Sequence, residues 1–149
     1  MVLPNFFEMH LFAVNDSNHF DKTVTFWSDV YGFKMPSLKE AVIRDAQIIT
    51  IPSECVMSDS VMFKAIDCLN CSVEQVSRFE KEFTLKISAD TELTGIGSSF
   101  ETYFNDQQLA WKSEFSTNAF NKTTHWQQTL FQLDQKVFVK KGKNCKCSS

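Results

Sequence analysis

The sequence predicts a mainly β fold, an antiparallel sandwich or barrel interrupted after its first strand by a helical hairpin. Three observations lead there. Runs that alternate polar and apolar residues recur at short spacing along most of the chain. One segment near the start changes to a helical period. The composition, 43% hydrophobic and 22% charged, is that of a folding globular chain. At 149 residues the chain is long enough to bury one core, so a single domain over 1–149 is expected.

The opening run places Phe7, Met9, Leu11 and Ala13 on one face and Phe6, Glu8, His10 and Phe12 on the other, which is a strand. In "NDSNHFDKTVTFWSDVYGFKM" the period lengthens. Val24, Trp27 and Tyr31 share a helical stripe with Val30 beside it; Ser17 or Asn18 can cap the helix and Gly32 can stop it. A second helix is expected over "PSLKEAVI", with Pro36 in the first turn and Leu38, Ala41 and Val42 on one side. Strands are then read at "AQIITI", at "EFTLKIS" with Phe83, Leu85 and Ile87 facing together, at "SSFETYF", at "QQTLFQL" and at "KVFV". Between them, Ser72 and Gln75 have capping-box spacing for a brief helical turn. Pro52 and the segment around Asp59 mark turns rather than a linker.

Fifteen basic residues against eighteen acidic ones, a net charge of -3, do not recruit a phosphate backbone or an anionic membrane, so neither nucleic acid nor membrane is an expected partner. The basic run Lys140, Lys141, Lys143 and Lys146 reads as a solvated terminus. No export signal is read at the N-terminus. With five cysteines the chain is expected to keep reduced thiols in the cytoplasm or nucleus.

Several chemistries are weak. Gly95 and Gly97 lack the third glycine of a dinucleotide loop and precede a strand, so they read as a bulge or tight turn. Cys68, Cys71, Cys145 and Cys147 could be a four-thiolate set, but one residue separates the second pair where zinc knuckles have two or more; free thiols are the simpler reading and no metal site is expected. Glu80 and Glu82 fit the wet face of a strand better than an acid/base pair. Ser113 and Ser116 lack the glycine context of a nucleophile elbow. By contrast, Phe26, Trp27, Val30, Tyr31, Phe33 and Met35 are too many large apolar groups for one buried stripe. Either this chain's own core takes them all or some face a partner, and the partner is favoured because aromatics and Met are enriched at interfaces.

At "FWSDVYGFKM", "ETYFN" and "FSTNAFNKTTHWQQTLF" the sequence resembles the C-terminal half of a type I protein arginine N-methyltransferase, from about Leu3 to Gly142. "AVND" before the helix and "YGFKM" after it are most similar to the arginine methyltransferase 3 branch. The resemblance implies a β-barrel in which residues 16–42 form an inserted dimerisation arm. The arm would engage a second copy or another methyltransferase through Phe26, Trp27, Val30, Tyr31, Phe33 and Met35. It further implies that His125 pairs with an acidic residue of a cofactor domain beside the active site, that Trp126 lines the channel for the substrate arginine and that Thr124 anchors their loop. A planar, permanently charged guanidinium suits an aromatic wall of that kind.

The family's glycine-rich loop for S-adenosylmethionine, its ribose-binding acid and its two catalytic glutamates have no counterpart here. No cofactor is therefore expected in this chain, and the methyl donor and the arginine-containing protein substrates belong to the full enzyme. The resemblance also puts barrel closure in question, because the family continues through further strands beyond "KKGKNCKCSS". Ala119, where a proline is usual, leaves the rigidity of the approach to His125 open. Two functions follow as expectations: the substrate-side barrel and dimerisation part of an arginine methyltransferase, inactive alone, or a stand-alone module that docks on a full-length methyltransferase and modulates it.

Overall fold

The structure, a computed structural model, describes residues 2–78, 80–105, 113–142 and 144–148. Its elements in chain order are β1 (Phe6–Val14), α1 (Ser17–Thr23), a 3-10 turn (Thr25–Ser28), α2 (Pro36–Arg44), β2 (Gln47–Ile49), a second 3-10 turn (Ser53–Cys55), β3 (Val61–Asp67), α3 (Val73–Ser77), β4 (Glu82–Lys86), β5 (Thr91–Phe104), β6 (Ser113–Ser116), β7 (Gln128–Val139) and β8 (Asn144–Ser148). The strands β2-β7-β5-β1-β3 lie side by side, with β6 also on β5, and β4 pairs with β8 in a separate ribbon. Every pairing is antiparallel. The sheets do not close into a continuous barrel among the described residues.

Two cores follow from the period-2 geometry of β1. Its odd-numbered face, Leu11 and Ala13, packs with Phe63, Phe83, Leu85, Ile87, Leu93 and Val139, so the ribbon β4–β8 covers one side of the large sheet. Its even-numbered face, Phe12 and Val14, packs with Ile51 and Leu130. Both faces of the second half of β1 are thus buried, which explains its near-continuous apolar run. Phe83, Leu85 and Ile87 face together into the first core, and Glu80 and Glu82 are exposed, as their spacing indicates.

The two strand glycines have distinct tasks. A β-carbon on Gly97 would overlap the Phe12 ring, and one on Gly95 would lie 2.8 Å from both Leu130 Cδ1 and the Phe131 carbonyl oxygen. The β5–β7 register shifts between Leu93 and Gly95, so the bulge read from the sequence is present.

The first helix is shorter than its sequence period suggests. Asp16, rather than Ser17 or Asn18, is its N-cap, its Oδ1 accepting from the His19 amide at 2.9 Å. The helix ends at Thr23, before Gly32, because a β-branched run, Thr23-Val24-Thr25, follows and the Thr23 hydroxyl bonds back to the His19 carbonyl at 2.8 Å. A 3-10 turn replaces the missing helical turn, so the stripe joining Val24, Trp27 and Tyr31 does not form: Val24 is buried, Trp27 half-buried and Tyr31 exposed. α2 begins with Pro36 in its first turn as expected and runs to Arg44, with no buried residue. The brief turn α3 carries the Ser72–Gln75 capping box.

Further differences concern strands. "QQTLFQL" and "KVFV" are one strand, β7, and "SSFETYF" is the second half of the 14-residue β5. β3, β6 and β8 were not read from the sequence. β3 lacks clean alternation because its pairing with β1 shifts register between Met9 and His10. β8 looks like a solvated charge run, but its backbone pairs with β4, Phe83 opposite Cys147 and Leu85 opposite Cys145. Lys143 of the basic run lies outside the described residues.

Gly97→Ala is expected to lower unfolding free energy by about 1–3 kcal/mol through overpacking. The double variant Gly97→Ala/Phe12→Leu should recover part of it. Urea denaturation checks both, and an unchanged midpoint for Gly97→Ala would contradict the Phe12–Gly97 fit.

Candidate functional site

The segment Thr124-His125-Trp126-Gln127 is a tight turn that leads into β7. The Gln127 amide donates to the Thr124 carbonyl at 3.3 Å, and Gln127 turns the chain with a φ of 54°. The next residue holds the turn in place. Gln128 is only 4% exposed; its Oε1 accepts from the Ile51 amide at 2.8 Å and its side-chain amide donates to the Thr117 carbonyl. One buried carboxamide therefore ties the start of β7 to the segment after β2 and to the loop after β6. Gln127 adds a bond from its side chain to the Thr50 hydroxyl at 3.2 Å.

The preceding loop, which carries Ala119, is tied down by hydrogen bonds. Thr117 is 1% exposed, and its hydroxyl accepts from the Phe100 amide at 2.8 Å while its own amide donates to the Phe100 carbonyl at 2.9 Å. Asn118 then closes a local turn, its Oδ1 accepting from the Phe120 amide at 3.0 Å. Ala119 packs at the margin of the second core.

This scaffold presents Trp126 against Phe115, the two rings stacked with centroids 4.8 Å apart and planes 23° apart. Phe115 in turn meets Phe100 edge-on at 6.0 Å. Trp126 remains 55% exposed, so the rest of the indole is available. It borders a cleft of about 440 Å³ with His125, Gln127, Met9, Phe100 and Ile48. His125 is exposed, edge-on to Trp126 at 6.0 Å, and makes no hydrogen bond among the described residues. The cleft thus offers an aromatic surface and an uncommitted imidazole, which is what a flat cation and an external carboxylate would meet.

The three residues singled out in the sequence, Thr124, His125 and Trp126, are together in this turn. The Thr124 hydroxyl is buried without a hydrogen-bond partner, and the loop is held instead by the Thr124 carbonyl and Gln128. Sequence reasoning missed Gln128 and Phe115. The available signal for Gln128 was its parity with Leu130, which places a polar residue on the buried face of β7.

The arm residues lie apart from the cleft. Val30 and Phe33 exchange two backbone bonds at 2.8 and 3.0 Å around a turn in which Tyr31 (φ 53°) and Gly32 (φ 88°) are both left-handed. A bulky aromatic in that region is strained, and the turn projects Tyr31, 97% exposed, and Phe33, 70% exposed. Phe26 packs edge-on against the half-buried Trp27 at 5.1 Å, and the Met35 amide donates to the Trp27 carbonyl at 2.9 Å. The base is fastened to β7: Lys136 Nζ lies 2.9 Å from Asp21 Oδ1, and Gln132 donates to the Thr23 hydroxyl at 2.9 Å. The hydrogen bond from Lys136, then that from Thr25, holds the Asp21 carboxyl below its ordinary range.

Neither strand glycine can cradle a cofactor, since Phe12 fills the space at Gly97 and Leu130 and Phe131 fill that at Gly95. Gly32 and Gly142 sit singly in turns. These glycines do not fit the loop that S-adenosylmethionine requires.

Residues 7–149 match the family profile described as the arginine methyltransferase oligomerization subdomain. The ribosomal protein arginine N-methyltransferase rmt3 of Schizosaccharomyces pombe is 29% identical, over 95% of this chain and 27% of that protein. The probable protein arginine N-methyltransferase 1.2 of Arabidopsis thaliana is 28% identical over 95% of this chain and 38% of its own length. Among solved structures, the Trypanosoma brucei PRMT1 enzyme–prozyme heterotetrameric complex with AdoHcy superposes with a TM-score of 0.88 at 18% identity, over 97% of this chain and 45% of that one. Arabidopsis thaliana protein arginine methyltransferase 10 gives 0.73 at 20% identity, over 96% and 48%. At those identities the likeness is one of fold. By the family profile, this chain belongs to the type I protein arginine N-methyltransferase family, in its C-terminal barrel region. It spans about a quarter to two-fifths of the length of the curated relatives it matches.

Gln128→Ala is expected to cost roughly 2–4 kcal/mol, because it leaves the Ile51 amide and the Thr117 carbonyl buried without their partner. Hydrogen exchange at the Ile51 amide should accelerate in step. Protection equal to that of the unsubstituted chain would show that the clamp does not hold the turn.

Proposed function

We propose that this chain is the substrate-side barrel and dimerisation part of a protein arginine N-methyltransferase, which in its full form moves a methyl group from S-adenosylmethionine to arginine in protein substrates. The observation that carries this reading is Trp126, stacked on Phe115 with its remaining surface open to a cleft. An indole face gains from a guanidinium through cation–π attraction and stacking. In this role Trp126 lines the arginine channel, His125 meets an acidic side chain of the cofactor domain and Thr124 anchors the turn. The methyl donor is held by residues outside this chain. S-adenosylmethionine supplies an electrophilic methyl group; this chain's part is to orient the acceptor and exclude water around it.

The arm of residues 16–42 is the contact to a second subunit, with Phe26, Trp27, Val30, Tyr31, Phe33 and Met35 as its apolar surface. The exposure of Tyr31 and Phe33 supports this, since large apolar groups on a projecting turn are otherwise an association hazard. The same exposure favours a second reading, a stand-alone module that docks on a full-length methyltransferase and modulates it. The trypanosome neighbour is itself an enzyme–prozyme heterotetrameric complex. The half-buried free thiols of Cys55, Cys68, Cys71 and Cys145 are in keeping with the reducing cytoplasm or nucleus.

Alone, the chain is expected to transfer no methyl group. Purified protein incubated with labelled S-adenosylmethionine and a glycine–arginine-rich peptide should give counts at background, and calorimetry should show no uptake of the donor. Methylation above background by the isolated chain would overturn both readings.

A further inference from the structure

We propose that Glu8, His10 and Glu101 form a binding site for a divalent transition-metal ion, zinc by preference, that joins β1 to β5 on the sheet face opposite the His125–Trp126 cleft. One ligand atom from each residue lies within 4.8 Å of the others. Glu8 and His10 project from the same face of β1, and Glu101 is the direct cross-strand partner of Glu8. Zinc bound to nitrogen and oxygen at about 2.1 Å spaces its ligand atoms about 3.4 Å apart. His10 Nε2 already stands 3.4 Å from Glu8 Oε2, so Glu101 needs only a small side-chain adjustment to complete the set.

The local chemistry calls for a cation. Two carboxylates directly opposite each other across an antiparallel pair repel. Both point at a single donor, the Tyr103 hydroxyl, 2.7 Å from Glu101 Oε2 and 3.2 Å from Glu8 Oε2. One O–H cannot serve both fully. The remaining neighbour, the Ser116 hydroxyl, lies 3.3 Å from Glu101 Oε1. The hydrogen bond that the Tyr103 hydroxyl donates to Glu101 is the chief cause that raises its pKa above the ordinary value.

Two further polar atoms on this face have no use in the fold. His10 Nε2 is buried without a hydrogen bond, although Glu8 Oε2 lies 3.4 Å away. Ser99, the register partner of His10 on β5, is 3% exposed, and its hydroxyl is also unpartnered. Buried polar groups of this kind are normally satisfied. A metal ion uses the imidazole lone pair and both carboxylates, and leaves the Ser99 hydroxyl to bond an ion-held water. The His10 and Glu8 side chains are 17% and 27% exposed, so an ion can enter without unfolding the strand pair. A nitrogen with two carboxylate oxygens suits zinc better than magnesium or calcium, which favour all-oxygen sets. Among the described residues no group of three that includes a cysteine has this geometry.

The test is calorimetric titration of the metal-free full chain with zinc chloride, with cobalt(II) chloride followed by absorption in parallel. One equivalent is expected to bind and to raise the thermal midpoint. The cobalt spectrum should show weak d–d bands without the intense charge-transfer band of thiolate ligation. Glu101→Gln and His10→Asn should each weaken binding at least about tenfold, the effect that even loss of an outer-shell partner commonly has. Circular dichroism confirms that each variant folds, and if His10→Asn does not, the nearly isosteric Glu101→Gln decides alone. A thiolate band, unchanged affinity in the folded variants, or no uptake by the unsubstituted chain overturns the site.

Discussion

The Phe12 ring lying over Gly97 is the contact on which the rest of this structure depends. It favours the observed register of β1 against β5, since a β-carbon at position 97 would overlap the ring. Because side chains alternate along a strand, a one-residue slip would exchange the two faces of the sheet. The observed register puts Met9 opposite Phe100 on the face that carries the aromatic cleft and Glu8 opposite Glu101 on the other. From β5 the constraint passes to β7, whose pairing brings Leu130 opposite Gly97 and Thr129 opposite Ser98. The His125–Trp126 turn is the chain's route into that pairing.

Position and availability are separated in the candidate site. Gln128, Thr117 and the Asn118 turn spend their hydrogen bonds on holding the loop, which leaves His125 and the outer part of Trp126 uncommitted. That is the expected division between a scaffold and the groups it presents. The arm shows the same arrangement. Asp21, Lys136, Thr23 and Gln132 fix its base on β7, whereas its tip exposes Tyr31 and Phe33. Both surfaces are built in full, and both face outward.

Much of this was legible in the sequence where one physical rule acted alone. The alternation named Leu11 and Ala13 of β1 and Phe83, Leu85 and Ile87 around β4 as a buried set, the Ser72–Gln75 spacing named a capping box, and the surplus of aromatics between Phe26 and Met35 announced side chains that this chain would not bury. The local signal misleads where two rules compete. Helical periodicity carried α1 too far because the β-branched run after residue 22 opposes it, and the lysines of the C-terminal segment masked a strand set by its partner rather than by its own pattern. The clamp through Gln128 and the meeting of Glu8, His10 and Glu101 are products of register, which links residues distant in sequence; local spacing does not reveal them.

The proposed function requires complementarity, in which the arm and the aromatic turn meet surfaces that other residues supply. Hydrogen exchange of the chain, alone and mixed with a full-length arginine methyltransferase of the same family, measures this most directly. Exchange is expected to slow at two separate places, the Val30–Met35 tip and the Thr124–Gln127 turn, with β4 and β8 unaffected. Exchange at both places that is identical with and without the partner enzyme, at concentrations where the two chains co-elute, would contradict it.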